Sequence, residues 1–404
     1  MGIQTRRPRV LIFEGEAKAS VGAAESFARR GFHVVVASAR RFCFGFYTRY
    51  TRERLLMPSQ MREPQRCAEF LLNEVRRRRY EFILPLGDEV TQLVCERRDE
   101  FMRHGKLVLV PHETFMIGRD KCRTMKAAAA AGVPIPRTWY PDEQPLEAIS
   151  REVSYPVLVK PACSNGARGI VYAHSAAELA ARYAEVSAEF GKTFVQELIP
   201  HAGMQFKTEL LLAPGGEVLA QFAYKKIRFY PVTGGSSTLN QACTHPQMVA
   251  DSIRLARSIG WYGMCDFDYI EDVRDGQCKL MEINPRVTDT IQIAQFGGVD
   301  FFALLYELAC GRAVTPRTTY PTGFYMRFLP GELAWFLNAG RQRWRSRPSF
   351  FDFLNPHTRS LVCSWRDPGP TMAYVLDSLG RMFNAKERRY LLRTRPGAAG
   401  DNGR

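Results

Sequence analysis

The stretch that decides the fold reads Gly263-Met-Cys-Asp-Phe-Asp-Tyr-Ile-Glu-Asp-Val-Arg-Asp-Gly-Gln-Cys-Lys-Leu-Met-Glu-Ile-Asn-Pro-Arg286. Two runs of apolar and acidic residues flank a turn that contains Asp275-Gly276, a pattern typical of a β-hairpin. Because successive side chains of a strand point to opposite faces, Glu282 and Asn284 share one face. The stretch therefore predicts a hairpin that carries acids and an amide at one end.

The register of this hairpin decides which acids meet. Asp268 lies opposite Glu282 only if the loop holds an odd number of residues, whereas a two-residue Asp-Gly turn places it across from Ile283. We expect a three-residue loop, Arg274-Asp-Gly276, with the glycine in the left-handed conformation. Asp268, Glu282 and Asn284 then supply the oxygen ligands that a hard cation such as Mg²⁺ prefers. For this stretch alone, a surface hairpin with solvated acids remains the alternative.

The bulk composition is that of an ordinary globular chain. Its 404 residues suggest two or three packed units, and 46% hydrophobic with 24% charged residues argues against an intrinsically disordered chain. No apolar run approaches the length of a membrane span, and no signal peptide is recognisable at the N-terminus. The ten cysteines form no Cys-x-x-Cys pair and the seven histidines show no ligand spacing, which indicates reduced thiols without a zinc site. We therefore expect a cytoplasmic protein.

The net charge of +15 raises the question of a nucleic-acid partner. No motif combines basic and aromatic residues at the fixed spacing of RNA- or DNA-binding modules. Part of the excess lies in Arg76-Arg-Arg-Arg79, at the end of a predicted helix, where cations suit the helix macrodipole. A net positive charge equally suits the binding of small anionic substrates such as nucleotides. We therefore expect no nucleic-acid partner.

Residues 8–112 alternate between strand and helix patterns. The predicted strands are 9–13, 33–37, 82–85 and 107–110, and the predicted helices are 19–30, 65–79 and 89–101. Such alternation predicts parallel strands covered by helices on both faces. The turn after the first strand, Glu14 to Gly22, lacks Gly-x-Gly-x-x-Gly and carries acids where a pyrophosphate would sit. Dinucleotide binding is therefore not expected in this region.

A glycine-rich loop, Ser164-Asn-Gly-Ala-Arg-Gly169, follows a predicted strand that contains Lys160. Glycines let backbone N–H groups approach phosphate oxygens closely, and a lysine adds a point charge. In isolation, a plain hairpin turn explains the same pattern.

Four further motifs are weak when taken singly. Lys121 opens a helix, where a lysine is ordinarily solvated, and Gln196-Glu-Leu-Ile199 ends a strand where an exposed backbone would hydrogen-bond a nucleobase or form a sheet edge. Lys225-Lys-Ile-Arg228 stands beside a glycine-rich turn, where it would hold an anionic substrate or belong to a solvated hairpin. Arg286 follows Asn-Pro, which fixes the direction of its guanidinium and favours bidentate binding of a carboxylate or phosphate.

Taken in order, these motifs resemble the ATP-grasp superfamily, in particular carbamoyl-phosphate synthase large chains, biotin carboxylases and amino-acid ligases. The resemblance runs from roughly residue 8 to residue 310. It implies an α/β and α+β chain, in which an ATP-grasp fold follows an α/β parallel-sheet N-terminal domain. The implied divisions are an N-terminal domain at 1–112, an ATP-grasp domain of two subdomains at 113–318 and a C-terminal extension at 319–404. The fold of that extension is not predicted, and its tail from Pro396 has the pattern of a disordered segment.

The resemblance implies a role for each matched position. The lysines and the glycine-rich loop would hold the phosphates of ATP, the segment 196–199 would read adenine, and Gln205 would sit near the ribose. The positions assigned to ATP are Lys121, Lys160, Ser164, Gly166, Gly169, Gln196, Glu197, Ile199 and Gln205.

The resemblance also implies a metal site and a reacting end. Asp268, Glu282 and Asn284 would ligate two Mg²⁺, which Mn²⁺ could replace, and Glu282 would bridge them. The residues that would face the acyl phosphate are Arg286, Lys225 and Arg228. Val287-Thr-Asp-Thr290 departs from the glycine and small residues that many relatives carry there, which leaves the acceptor open.

The expected activity is that of a carboxylate–amine ligase, which activates a carboxylate as an acyl phosphate and passes it to an amine, releasing ADP and phosphate. One alternative is a carbamoyl-phosphate synthase-like enzyme that phosphorylates bicarbonate or carbamate. Another is an ATP-binding module without catalysis. The expected partners are small-molecule carboxylates and amines, and a homodimer is kept as an option.

The C-terminal stretch combines Leu333-Ala-Trp-Phe-Leu337 with Arg341-Gln-Arg-Trp-Arg345. Such a stretch either docks on an anionic membrane surface or packs on its own domain and leaves a solvated basic face. Packing on the domain is the commoner outcome, so membrane contact through 331–350 is kept as the alternative.

Overall fold

A computed structural model describes residues 7–382, except residues 165, 167, 201, 233, 234, 353 and 354. The tail from Pro396, for which the sequence predicts disorder, lies outside the described residues. Three sheets organise the described chain. In this part of the chain, no helix has both the length and the apolar character needed to cross a membrane.

The N-terminal region is built on a four-stranded parallel sheet with the order β3-β2-β1-β4. Its strands are β1 (Arg9–Phe13), β2 (His33–Ser38), β3 (Glu53–Leu56) and β4 (Phe82–Pro85). Its helices are α1 (Ala19–Arg29), α2 (Phe44–Tyr47), α3 (Pro64–Arg77), α4 (Asp88–Glu96), α5 (Arg98–Met102) and α6 (His112–Arg119). The continuous apolar runs of β1, β2 and β4 are almost wholly buried, as expected of parallel strands between helices.

One strand prediction in this region is wrong. Residues 107–110 form no strand, and pairing with β4 is limited to a bridge between Lys106 and Phe82. The carbonyl of Leu109 instead accepts hydrogen bonds from the side chains of Arg98 at 2.8 Å and Tyr262 at 2.9 Å. The fourth strand is β3, a short, charged edge strand whose sequence gives little periodic signal.

A second, antiparallel sheet has the order β5-β8-β6-β7. Its elements are α7 (Lys121–Ala130), β5 (Thr138–Trp139), α8 (Leu146–Glu152), β6 (Val157–Pro161), β7 (Val171–Ala173), α9 (Ala176–Phe190) and β8 (Thr193–Glu197). The side chain of Asp120 caps α7 by accepting hydrogen bonds from the backbone N–H groups of Cys122 and Arg123. One face of this sheet packs on α8 and α9, which leaves Leu158 and Lys160 to line a cavity.

The central sheet has seven strands in the order β13-β12-β9-β10-β11-β14-β15. Its first elements are β9 (Gln205–Leu212), β10 (Val218–Tyr230), β11 (Ser236–Cys243), α10 (Pro246–Ser258), β12 (Gly263–Asp272), β13 (Gln277–Asn284), α11 (Gln292–Phe296) and α12 (Phe301–Ala309). The remaining elements are β14 (Tyr325–Arg327), α13 (Leu329–Asn338), α14 (Gln342–Arg345), β15 (Thr358–Ser360) and α15 (Gly369–Met382).

The C-terminal segment is integrated into this architecture. Strands β14 and β15 extend the central sheet beyond β11. Helix α15 returns to α2, where the rings of Phe44 and Tyr374 stack with their centroids 5.6 Å apart. One continuous apolar core joins the N-terminal sheet to α12, so that Tyr306 packs against Phe27 and Phe82.

The β12–β13 hairpin reaches the expected pairing by an unexpected route. Asp268 lies opposite Glu282, as predicted. The predicted odd loop is wrong, because Asp272 pairs with Gln277 and the turn between them has four residues. A β-bulge between Asp268 and Tyr269 shifts the register by one residue, since Tyr269 pairs with Leu280. The bulge thereby restores the meeting of the two acids.

Candidate active site

A cavity of about 330 Å³ opens between the second sheet and the central sheet. Elements from all three sheet regions contribute to its walls, and many of the side chains are cationic. Its charged and amide lining residues are Lys18, Asp88, Arg119, Lys121, Lys160, Gln205, Lys207, Lys226, Asp268, Glu282, Asn284, Arg286 and Asp289. Such a lining suits a polyanionic ligand.

The floor of the cavity is formed by three neighbouring strands, β12, β9 and β10. Each contributes two alternate polar side chains to the same face, and backbone pairing aligns them, since Asp266 lies opposite Glu209 and Asp268 opposite Lys207. These side chains, which we call the floor cluster, are Asp266, Asp268, Lys207, Glu209, Tyr224 and Lys226.

Within the floor cluster, two lysines keep Asp268 ionised. Lys207 Nζ lies 2.9 Å from Asp268 Oδ2 and donates a hydrogen bond to Asp266 Oδ1 at 2.5 Å, while Lys226 forms an ion pair with Asp268. Burial opposes ionisation, but Lys207 and then Lys226 outweigh it and hold the pKa of Asp268 well below its usual range. Asn284 Nδ2 donates to Asp266 at 2.7 Å and to Asp268 at 3.0 Å, which locks the end of β13 onto the cluster.

Glu209 lies deeper in the floor and has the opposite charge state. It is fully buried, and burial together with the nearby Asp266 raises its pKa well above the usual range. Its carboxyl group accepts hydrogen bonds from Thr288 at 2.8 Å and Tyr224 at 3.3 Å. Through these two hydrogen bonds, Glu209 orients the loop that follows β13.

A second pair of lysines stands at the glycine-rich loop. Lys121 Nζ donates to the carbonyl of Ser164 at 2.9 Å and lies 3.1 Å from Glu282 Oε2. Lys160 Nζ donates to Gln196 Oε1 at 2.8 Å. Both ammonium groups are held at the wall of the cavity, where their positive charge would suit a phosphate chain.

The N-terminal sheet region contributes two ion pairs at the other end of the cavity. Arg286 Nε lies 2.8 Å from Asp88 Oδ2, and Lys18 Nζ donates to Asp289 Oδ2 at 2.5 Å. Burial opposes ionisation of Asp88, but Arg286 outweighs it and lowers the pKa of that carboxyl group. These pairs fix the loop after β13 against the carboxyl ends of the parallel strands.

The chemistry of the donor set fits Mg²⁺. Asp268, Glu282 and Asn284 present two carboxylates and an amide to one cavity. Among the described residues, no group of three acidic, histidine or cysteine side chains converges on one point. Mg²⁺ is commonly held by one or two carboxylates, with substrate phosphates and water completing an octahedron, so two carboxylates and an amide oxygen suit this ion.

Most of the predicted site residues meet in the cavity. Those that line it are Lys121, Lys160, Ser164, Gly166, Gln205, Asp268, Glu282, Asn284 and Arg286. Those that do not line it are Gly169, Gln196, Glu197, Ile199, Lys225 and Arg228.

The structure places Arg228 away from the cavity, contrary to its predicted position facing an acyl phosphate. Its side chain is 1% exposed and forms an ion pair with the buried Glu332 of α13. Its Nε donates to Ser346 Oγ at 2.9 Å, and its guanidinium lies 4.5 Å from the centre of the Trp335 ring. Arg228 therefore anchors the C-terminal segment.

Lys225 was also predicted to face the acyl phosphate, but strand alternation turns the neighbouring Lys226 into the cavity instead. Tyr224 and Lys226 share the face of β10 that carries the floor cluster, whereas Lys225 lies on the other face. The four-residue motif was thus informative, but its strand phase could not be read from the sequence.

Gln196 and Glu197, from the segment predicted to read adenine, do not line the cavity but support its wall. Gln196 is fully buried, and besides accepting from Lys160 it donates to Thr138 Oγ1 at 3.0 Å. The side chain of Glu197 turns towards the hairpin turn, where it lies 2.6 Å from Arg274 NH2. Gln196 therefore positions Lys160, and Glu197 ties the second sheet to the central sheet.

Several site residues were missed at the sequence level. In the floor they are Lys207, Glu209, Asp266 and Tyr224, and at the loop end they are Lys18, Asp88 and Arg119. The alternation Gln205-Phe-Lys-Thr-Glu209 carried a signal, because polar residues at every second position of an otherwise apolar strand indicate a polar face. No local pattern connected Lys18 or Asp88 to a site some 200 or more residues away.

Comparison with known proteins agrees with this geometry. The protein-family model described as carbamoyl-phosphate synthase L chain, ATP binding domain, matches residues 120–199 and 232–315. A D-alanine–D-alanine ligase of Laribacter hongkongensis strain HLHK9 is 40% identical over 70 residues, 17% of this chain and 23% of the relative. The D-alanine–D-alanine ligase of Pseudomonas entomophila strain L48 is 25% identical over 215 residues, which are 49% of this chain and 66% of the relative. The matches thus span 23% and 66% of the lengths of these two relatives, less than two thirds of either.

Solved structures with the same fold cover more of the chain. A biotin carboxylase from Campylobacter jejuni has a TM-score of 0.66 at 14% identity, covering 79% of this chain and 74% of that one. The biotin carboxylase domain of Hydrogenobacter thermophilus 2-oxoglutarate carboxylase was solved in complex with MgADP, ADP and bicarbonate. Its TM-score is 0.62 at 18% identity, and the match covers 78% of this chain and 73% of that one. An L-amino acid ligase from Bacillus licheniformis has a TM-score of 0.58 at 15% identity, and the match covers 78% of each chain. These similarities confirm the fold class expected from the sequence.

Proposed function

The chain belongs to the ATP-grasp superfamily, and on this premise we propose that it is an ATP-dependent carboxylate–amine ligase. In this reaction, a substrate carboxylate attacks the γ-phosphorus of ATP, and ADP leaves. The resulting acyl phosphate is then attacked by an amine, so that an amide bond forms and phosphate leaves. The substrates in this proposal are small molecules.

The observation that carries the proposal is the placement of cations around the acids of the hairpin. Lys121 and Lys226 each form an ion pair with a carboxylate that the hairpin supplies, one with Glu282 and one with Asp268. Arg286 lies beyond them in the same cavity. Charge develops on phosphoryl oxygens in the transition state, and preorganised cations stabilise it there.

The phosphate end of the site is assigned to Lys121, Lys160 and the glycine-rich loop. Gln196 holds the Lys160 ammonium, and the Ser164 carbonyl holds that of Lys121, so neither cation needs to be recruited when ATP binds. Gly166 has a φ of +59°, a conformation that glycine adopts without strain. In this proposal, Gln205 contacts the ribose and the backbone around Ile199 reads adenine.

The metal site is assigned to Asp268, Glu282 and Asn284. When bound, Mg²⁺ would neutralise the phosphate oxygens and act as a Lewis acid. The chain's own part is to keep Asp268 ionised through Lys207 and Lys226 and to orient Asn284 through Asp266. We propose two ions, with Mn²⁺ as a substitute, because two carboxylates and an amide leave coordination positions open for phosphate oxygens.

The acyl-phosphate end of the site is assigned to Arg286 and Lys226. The ion pair with Asp88 engages Nε of Arg286, and Nη1 donates to the Val287 carbonyl at 3.4 Å, so the guanidinium is held at the cavity, where it would meet a carboxylate or a phosphate. Thr288, Asp289 and Thr290 line the cavity beside it and form the boundary that the amine approaches.

A second candidate function is phosphorylation of bicarbonate. It is supported by the match to the carbamoyl-phosphate synthase domain and by the solved structure that contains bicarbonate with MgADP. The same lysine and arginine side chains would stabilise this reaction, and the two candidates differ only in whether bicarbonate or a carboxylic acid is phosphorylated.

The experiment is a screen of nucleotide products. Purified protein is incubated with MgATP and pools of amino acids, uronic acids or small carboxylates, with amines varied separately. We expect release of ADP, not AMP, that requires a carboxylic acid and rises with an amine. Phosphate release with bicarbonate alone would establish the second candidate. ATP binding by calorimetry without turnover on any pool would contradict both and indicate a binding module.

A further inference from the structure

An exposed apolar surface lies at the C-terminal segment, outside the cavity. It is formed by Leu333 and Leu337 of α13, Trp344 of α14 and Phe351, whose side chains are 52%, 65%, 66% and 55% exposed. We call these four residues the apolar tip. Large apolar side chains grouped on a surface generally mark an interaction site.

Contacts on the buried side of α13 hold the apolar tip in place. Glu332 and Trp335 form the buried side of α13, and Ala339, directly after the helix, is also buried. Arg228 and Thr238 both bind the Glu332 carboxylate, the latter through a hydrogen bond of 2.7 Å. The exposure of Leu333 and Leu337 is therefore the consequence of a well-anchored helix whose other face is occupied.

Aromatic stacking fixes the remaining side chains. Phe336 stacks on the buried Phe350 with ring centroids 4.4 Å apart. Trp344 meets the edge of Phe336 at 5.4 Å and stacks on Phe351 at 6.1 Å. These rings hold each other in position, so little side-chain entropy is lost when the surface is covered.

The charge around the apolar tip is predominantly positive, with Asp352 as the acid that directly follows Phe351. The segment 333–351 contains Arg341, Arg343, Arg345 and Arg347 and no acidic residue. Arg341, Arg345 and Arg347 are exposed. Exposed arginines next to exposed leucine and tryptophan side chains are typical of segments that insert shallowly into anionic membrane surfaces.

We propose that the apolar tip and its arginines dock this protein on an anionic lipid surface, with Leu337 and Trp344 entering the headgroup region. A second copy of the chain fits less well, because a two-fold contact would bring the arginines of both copies together. Nucleic acid also fits less well, because exposed leucines offer neither stacking nor hydrogen bonds. Lipid satisfies the leucines, the indole and the guanidinium groups at once.

The experiment is co-sedimentation with vesicles. The full chain is mixed with phosphatidylcholine vesicles with or without phosphatidylserine. We expect binding only to the vesicles that contain phosphatidylserine. Leu337→Gln/Trp344→Gln should abolish it, and Arg341→Gln/Arg345→Gln should weaken it by roughly tenfold or more, since each arginine near the surface is worth about fivefold.

The matched controls remove comparable groups elsewhere. Arg77→Gln/Arg79→Gln removes two exposed arginines beside α3, and Met61→Gln removes an exposed apolar side chain, 53% accessible. Both should bind like the wild type, and thermal unfolding confirms that each variant is folded. Equal binding to both vesicle types, no binding, or an equal loss in the Arg77→Gln/Arg79→Gln control would overturn the proposal. So would binding to an RNA oligonucleotide that depends on the arginines but not on Leu337 and Trp344.

Discussion

Two groups of buried acids lie near the cavity, and they carry different charge. In the floor cluster, Asp268 has two lysines beside it and its pKa lies below the usual range. At the carboxyl ends of β1 and β4, burial and the neighbouring Glu16 raise the pKa of Glu14 to about 8, and Glu89 adds to the shift. Burial opposes ionisation in both places, and the two adjacent lysines decide that Asp268 is the acid that is ionised.

The difference shows how the chain separates a reactive surface from a structural one. In the proposed metal site, ionised Asp268 would attract a divalent cation, whereas a protonated Glu14 would support packing. Glu14 has a φ of +69°, which is uncommon for a residue with a side chain. A Cβ at Gly87 would stand only 2.0 Å from Glu14 Oε2, so the two backbone turns are fitted to each other.

The largest effect is expected from removing an acid of the hairpin. Glu282→Gln should lower ADP release by about 10³-fold, because the metal and its phosphate lose a charged ligand. Asp275→Asn in the turn of the same hairpin should stay near the wild-type rate. Steady-state ADP release measures both, and retained turnover in Glu282→Gln would refute the metal assignment.

A smaller but sharper effect separates two adjacent lysines. Lys226→Met should lower kcat by about 10²-fold, because the variant loses a cation that faces the developing charge and one partner of Asp268. Lys225→Met should change kcat by less than about twofold, because its side chain lies on the other face of β10. Equal losses in the two variants would show that the strand phase does not determine the site.

A more modest effect is expected where the N-terminal sheet region touches the site. Asp88→Asn should raise KM for the carboxylic acid by roughly tenfold with little change in kcat, because Arg286 loses the ion pair that orients it. Kinetics at varied acid concentration separate the two parameters. A fall in kcat alone, with KM unchanged, would assign Asp88 a different role.

The smallest effect concerns the pH dependence of stability. Folding raises the pKa of Glu14, so the native state keeps a proton that the unfolded chain has lost. The stability that the protonated Glu14 side chain contributes to the folded state is fully present below about pH 4.5 and is lost as the pH rises to about 8. Glu14→Gln should remove this decline, worth a few kcal/mol at most. Urea unfolding between these pH values tests it, and an unchanged slope would show that Glu14 is ionised when folded.

The sequence carried much of the fold and part of the site. The order of Lys121, Lys160, the glycine-rich loop and Glu282 supported the resemblance to the ATP-grasp superfamily, and that resemblance predicted the architecture. The pairing of Asp268 with Glu282 was predicted, but not the four-residue turn and the bulge that produce it. Bulges depend on packing across the sheet and leave little trace in local periodicity.

The errors at Lys225 and Arg228 have a related cause. Strand β10 carries register irregularities between Lys226 and Phe229, so alternation counted along the sequence loses its phase there. The ion pair of Arg228 with Glu332 spans 104 positions, and the pair of Arg286 with Asp88 joins different sheet regions. Single-sequence patterns contain no information about such distant partners.

The most direct test of the proposed chemistry follows the oxygen atoms of the substrate. Once the screen has identified an acid, its carboxylate is labelled with ¹⁸O and the enzyme is run to completion with MgATP and the amine. If the carboxylate attacks the γ-phosphorus, one labelled oxygen must appear in the released phosphate. Mass spectrometry should therefore find singly labelled phosphate in proportion to ADP. Unlabelled phosphate alongside amide product would contradict an acyl-phosphate intermediate and with it the assigned roles of Lys226 and Arg286.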